Sequence, residues 1–289
     1  MGESWNKHKS NADIIAKYYS DRDDYEKYAS RINWCSQFLD FKLLPDNSGY
    51  QLRLHGARFC RVRYCPICQW RRSLKWKAKA FKVMPEIIKD YPTHRWLFLT
   101  LTVKNCPIED LRTNLHWLSK SWQRLSQRKI FPAVGWLRST EITKSKDNTA
   151  HPHFHCLLLV KASYFGKLYL KQDDWVELWR DSLKVDYDPI VDIRAIKKEC
   201  QPIEIIPEIL KYCVKESDLT NDRQWLWELT NQTHNIRTVA TGGILKEYLK
   251  QSEEDKQWIM KDSSTKEETI NIYFNWRYNN KNYQLLSNS

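Results

Sequence analysis

The apolar residues of this chain change period from one segment to the next. Residues 96–103 (WLFLTLTV) form a short, nearly unbroken apolar run that predicts a buried strand, and 108–128 carry Leu111, Leu115, Leu118, Trp122 and Leu125 at the spacing of one helix face. Further strands are predicted over 134–143 and 151–160, a helix over 173–183, a fourth strand over 190–196, and a closing helix over 207–217 with Pro207 in its first turn. Upstream, Ile14, Ile15, Tyr18, Tyr19, Tyr25 and Tyr28 mark helix within 11–34, short strands and turns surround 45-PDNSG-49, and a basic helix is expected over 69–89, stopping before Pro92. Downstream, 218–250 reads as mixed and mostly helical, 261–268 as a polar linker, and 270–286 as a hairpin turning at Asn279-Asn280.

The central order is β-α-β-β-α-β followed by α. That is the order of the split βαβ, or ferredoxin-like, arrangement, an α+β fold with an antiparallel sheet. The expected division is an N-terminal module over 1–90, a core over 91–250 and a C-terminal linker with a hairpin tail over 251–289. Composition narrows the function classes. The 47 Lys and Arg outnumber 35 Asp and Glu, for a net charge of +12, so the expected partner is a polyanion, nucleic acid first. No GxxxxGK[ST] or GxGxxG occurs, which speaks against a P-loop or dinucleotide fold. The N-terminus lacks the apolar core of a signal peptide, Asn6 spoils a myristoylation pattern, and no run approaches the roughly 18 apolar residues of a membrane helix. A soluble, cytoplasmic protein with no membrane partner is expected, its eight Cys serving as free thiols or metal ligands.

The stretch 151-HPHFHCLLLV-160 places histidines on alternate positions of a strand. Residues two apart share a face, so His153 and His155 can converge on one cation, while Phe154 and Cys156 face away. With 144–150 as the hairpin loop, antiparallel pairing sets Glu141 opposite His153 and Thr143 opposite His151. A slip in register would instead offer His151 as third ligand. A His-His-carboxylate set with open positions suits a catalytic divalent ion, Mn2+ or Mg2+ in a cell. In the closing helix, Glu208, Tyr212 and Lys215 stand at i, i+4 and i+7 on one face. The Tyr212 hydroxyl could attack a polarised phosphodiester, leaving a 5′-phosphotyrosine and a free 3′-OH, with Lys215 offsetting charge. Tyr187 and Tyr248 lack this company.

Cys65 and Cys68 form a CxxC knuckle, Cys60 lies five residues before it, and Cys35 can close a four-thiolate structural Zn2+ site. Cys106, Cys156, Cys200 and Cys213 lack partners at ligand spacing and are expected to be core thiols. Directly after the knuckle, Arg71, Arg72, Lys75, Trp76 and Lys79 interleave cations with aromatics, as DNA phosphate contacts and base stacking would require.

HPHFHCLLL resembles the His-hydrophobe-His motif of HUH endonucleases, and EILKYCVK is similar to the Tyr-x-x-Lys motif of rolling-circle replication initiators of small bacterial plasmids. FLTLTV resembles that family's first motif, and FCRVRYCPICQWRRSLKW its N-terminal cysteine cluster; together the matches span about residues 35–250. The resemblance implies an HUH core that nicks one strand of the plasmid origin through Tyr212, with Glu208 activating water for termination. Where this family commonly has Asn before the Pro, the chain has His151. With no helicase motor present, a host helicase and DNA polymerase are the implied partners. An HUH transposase, or a zinc-containing DNA-binding regulator without catalysis, would share some of these features.

Overall fold

The computed structural model describes residues 3–46, 49–197, 204–211, 213–254 and 270–286. In chain order the elements are α1 (Glu3–Ser20), α2 (Glu26–Asn33), β1 (Phe38–Asp46), β2 (Gly49–Ala57), α3 (Pro66–Asp90) and β3 (Arg95–Thr102). Next come α4 (Leu111–Ser126), β4 (Ala133–Lys144), β5 (Ala150–Val160), α5 (Gln172–Leu183) and β6 (Val191–Ala195). The chain continues through α6 (Ile206–Ile209), α7 (Glu216–Thr220), α8 (Arg223–Gln232), β7 (Val239–Gly243), α9 (Ile244–Glu254), β8 (Ile270–Arg277) and β9 (Asn282–Leu285). The protein is α+β, with two antiparallel sheets in two compact units. One unit comprises Met1–Arg72, Leu219–Arg223 and Asp255–Ser289, the other Ser73–Asp218 and Gln224–Glu254.

In the first unit the sheet order is β2-β1-β8-β9. Alternation in β1 and β8 turns Leu39, Phe41, Phe274 and Trp276 to one side, where Trp5 of α1 meets Phe41 edge-on. A buried ion pair joins the elements: Lys9 Nζ lies 2.9 Å from Asp13 Oδ1 and donates to the Asn33 carbonyl, and Trp276 Nε1 donates to Asp13 Oδ2 at 2.8 Å. Every polar group in this pair is thus answered, the condition under which buried charge is tolerated. The hairpin expected over 270–286 forms, but it is no separate tail. Its first strand pairs with β1, from Phe38 opposite Asn275 to Leu43 opposite Ile270. The expected helix over 11–34 is two helices, broken at 21–25.

In the second unit the order is β6-β3-β5-β4-β7. Strands β3 and β5 are central and covered on both faces, which explains their unbroken apolar runs. On one face Leu97, Leu99, Phe154, Cys156 and Leu158 pack with Leu118, Trp122 and Leu125 of α4 and Trp175 and Trp179 of α5. On the other, Trp96, Phe98, Leu157 and Leu159 pack with Val83, Met84 and Ile87 of α3 and Leu245 and Leu249 of α9. Each such side chain, fully buried, contributes roughly 1.5–3 kcal/mol.

The mixed, mostly helical reading of 218–250 holds, with one strand among its helices, and the closing helix is corrected. Residues 218–250 contain the edge strand β7, which pairs with β4 from Ser139–Val239 to Gly135–Gly243. A Cβ at Gly242 would overlap the Trp136 indole, so glycine lets the strand lie against that ring. The predicted helix over 207–217 is not continuous: α6 ends at Ile209 and α7 starts at Glu216. Backbone acceptors between them are used elsewhere, since the Leu210 carbonyl takes the Ser73 hydroxyl and the Cys213 carbonyl takes the Ile142 amide at 2.8 Å.

Candidate metal centres and nucleic-acid interface

The pairing of β4 with β5 sets Glu141 opposite His153 and Thr143 opposite His151, as expected from the loop position. Alternation in β5 puts His153 and His155 on the Leu157 face and away from Phe154 and Cys156. Glu141 Oε2 lies 2.9 Å from His155 Nε2, 3.3 Å from His153 Nε2 and 2.8 Å from Lys211 Nζ. All three members of the His-His-carboxylate group are buried. Burial would raise the Glu141 carboxyl, but hydrogen bonds from His153, His155 and Lys211 outweigh it and hold the group well below the usual carboxylate range.

The far ring nitrogens are tethered. His153 Nδ1 donates to the His151 carbonyl at 3.1 Å, and His155 Nδ1 lies 3.2 Å from the Thr100 hydroxyl. The Nδ1 tethers suit the tautomer a cation would need, in which Nε2 of both rings gives up its hydrogen bond to Glu141 and offers a lone pair instead. The Phe98 ring stacks on His155 at 5.7 Å. The donor set therefore fits a hard or borderline divalent ion. His151 sits outside this group, its Nδ1 2.7 Å from Asn105 Oδ1, while Asn105 Nδ2 donates to the Ser145 and Thr149 hydroxyls.

Of the closing-helix residues, Glu208 lies on α6 and Lys215 precedes α7, both exposed; Tyr212 lies outside the described residues. The shared helical face predicted for the three does not form in the described residues, because α6 stops at Ile209. Sequence reading missed Lys211 and Thr100. Lys211 follows Glu208 by three residues, with nothing local to aim it at Glu141, and Thr100 is an ordinary strand residue until pairing puts it opposite His155.

Cys35, Cys60, Cys65 and Cys68 are all buried and gathered in one cluster. Cys35 and Cys68 sulfurs are 3.7 Å apart, Cys60 and Cys68 3.5 Å, and Cys35 and Cys65 3.7 Å. Four sulfurs each about 2.3 Å from a tetrahedral zinc would be roughly 3.8 Å apart, so the spacing fits. The Cys60 amide donates to Cys35 Sγ at 3.4 Å and the Arg61 amide to Cys68 Sγ at 3.2 Å, with Arg61 in the left-handed region at φ 59°. Contacts from Cys35, Cys60 and Cys65, aided by the Arg61 amide, favour the Cys68 thiolate over the penalty of burial. Cys106 and Cys156 are buried thiols, Cys213 is partly exposed, and Cys200 lies outside the described residues.

The basic helix α3 divides its side chains. Arg72 and Lys75 are exposed, and Lys79 Nζ lies 5.1 Å from the centre of the Trp76 ring. Arg71 is drawn inward, 5.4 Å from the Phe59 ring and 6.0 Å from Trp5, and burial lowers its pKa. It is bracketed by aromatics and not held out as a free cation.

Fold and site together define an α+β protein with a His-His-carboxylate group on its larger sheet and a four-thiolate group before a basic helix. The chain belongs to the replication protein family Rep_1, whose pattern matches residues 51–284, and it is a plasmid replication initiator. It is 39% identical over 233 residues to "Protein rep" of Streptococcus pneumoniae serotype 2 strain D39, covering 78% of this chain and 72% of that one. It is 37% identical over 278 residues to "Protein rep" of Bacillus amyloliquefaciens (86% and 81%) and 36% identical over 223 residues to a "Replication protein" of Staphylococcus aureus (70% and 95%). No solved structure matches the chain. No helix among the described residues is long and apolar enough to cross a membrane.

Proposed function

We propose that the chain is a site-specific, metal-dependent single-strand DNA nickase and strand-transferase that starts rolling-circle replication at its plasmid origin. The observation that carries this reading is the convergence of His153 and His155 Nε2 on the Glu141 carboxylate. In support of an HUH core of ferredoxin-like type, β3, β4, β5 and β6 succeed one another as β-α-β-β-α-β and lie in the order β6-β3-β5-β4. Glu141, His153 and His155 would hold Mn2+ or Mg2+, which would supply Lewis-acid polarisation of the scissile phosphate. The Tyr212 phenolic oxygen forms a bond to phosphorus as the bond to the 3′ oxygen breaks. The phenolic proton passes to solvent, the 3′ oxygen takes a proton from solvent and leaves as a hydroxyl, and DNA stays joined through a 5′-phosphotyrosine. Lys215 offsets charge on the phosphorane-like state, and Glu208 activates the water that ends the cycle.

Cys35, Cys60, Cys65 and Cys68 hold a structural Zn2+ in this reading, and Arg72, Lys75, Trp76 and Lys79, with Arg71 behind them, contact origin DNA. A host helicase and polymerase supply unwinding and synthesis. A zinc-containing regulator without catalysis leaves the buried Glu141 group without a use. The test is cleavage of an origin oligonucleotide across a Mn2+ titration, with mass spectrometry of the DNA-linked peptide. The expected adduct is on Tyr212 and is lost in Tyr212→Phe; a Tyr212→Phe protein that still nicks and links DNA overturns the mechanism.

A further inference from the structure

The sheet of the first unit has two unlike faces. Its covered face carries Leu39, Phe41, Phe274, Trp276 and Tyr283. Pairing turns Phe38, Asp40 and Lys42 of β1 to the other face, with Asn275, Tyr273 and Asn271 directly across on β8 and Arg53 across from Lys42 on β2. Phe38 and Tyr273 are diagonal neighbours, about 7–8 Å apart at Cβ, and remain 55% and 39% exposed.

The charges on this face are unusual for a bare sheet. Lys42 is directly opposite Arg53, and like charges facing each other across a strand pair are destabilising. Neither has an ion-pair partner among the described residues. Arg277 is exposed further along the same face of β8. The acid between them, Asp40, is taken by His55 at 2.9 Å. A polyanion lying across β1 and β2 would relieve the opposed cations, and two uncovered rings beside it suit bases that are already unpaired, since a duplex hides its base faces in the stack.

We infer that this open face is a binding platform for single-stranded DNA, with Phe38 and Tyr273 stacking on bases and Lys42, Arg53 and Arg277 holding phosphates. This rests on the DNA-processing reading above, but on none of its residues. Both rings are exposed, so their loss leaves the core packing intact.

The test is fluorescence anisotropy of the full chain, without added Mn2+ or Mg2+, on labelled oligo-dT and on a labelled duplex of equal length. Phe38→Ala/Tyr273→Ala is expected to weaken oligo-dT binding about 10-fold or more and leave duplex binding within about 2-fold. Phe38→Trp/Tyr273→Trp is expected to keep the affinity, which separates stacking from damage to the fold. Lys42→Gln/Arg53→Gln is expected to flatten the salt dependence on oligo-dT. If wild type binds oligo-dT and the alanine pair binds equally well, the platform is overturned while the nickase reading stands. An equal loss on the duplex overturns the stacking role. A wild-type chain that binds neither probe overturns the DNA reading and the platform together.

Discussion

The tether on His155 offers a test that alters none of Glu141, His153 and His155. Thr100→Val removes one hydroxyl from β3 and keeps the branched shape, so the buried strand and its pairing with β5 should persist. What is lost is the 3.2 Å partner of His155 Nδ1. A net hydrogen bond of this kind is worth about 0.5–1.5 kcal/mol, and loss of such an outer partner typically costs about 10–100-fold in metal affinity. The lower end is expected here, about 10-fold, because Phe98 stacking and the Glu141 contact still restrain the ring. Mn2+ binding followed by electron paramagnetic resonance reads the affinity, and cleavage at limiting and saturating Mn2+ reads the consequence. Activity should fall at limiting Mn2+ and recover in excess. A Mn2+ affinity within 2-fold of wild type would refute the view that Thr100 sets the tautomer and aim of His155.

The four-thiolate site predicts one tightly bound zinc per chain, measured by inductively coupled plasma mass spectrometry; Cys68→Ser should remove it and destabilise the first unit. Structural zinc contributes on the order of 10–16 kcal/mol to folding, so a melt of Cys68→Ser matching wild type would count against the site. The buried Lys9–Asp13 pair predicts strong coupling. Lys9→Met alone should cost about 3–5 kcal/mol by leaving Asp13 buried without its cation, while Lys9→Met/Asp13→Leu should recover most of it in urea unfolding. A double-variant loss equal to the sum of the losses of Lys9→Met and Asp13→Leu alone would show that the pair is not coupled.

Much of the larger sheet is legible in the sequence because each of its central strands is buried on both faces. Runs such as 96-WLFLTLTV-103 follow from that burial alone. The histidine group is legible for a related reason: period-two alternation in β5 and a short hairpin loop are local, and together they set Glu141 against His153. The knuckle over 65–68 is equally local, since two thiols three apart at a helix start need no distant information.

Long-range hydrogen bonds decided the rest. Residues 207–217 carry helical spacing, yet the Leu210 and Cys213 carbonyls are claimed by Ser73 and the Ile142 amide, so the helix breaks and Lys211 reaches Glu141. Strand β7 ends in Thr241-Gly242-Gly243, which has no apolar period; the Trp136 ring requires Gly242, and a positive φ close against the Val134 carbonyl requires Gly243. The β8–β9 hairpin could be foreseen as a hairpin, but its pairing with β1 depends on a strand more than two hundred residues away. Local chemistry and period thus determined the two groups that could hold metal and the core strands. Which backbone groups meet across the chain was decided by the tertiary structure, because an edge strand or a free carbonyl is satisfied by whatever partner packing brings to it.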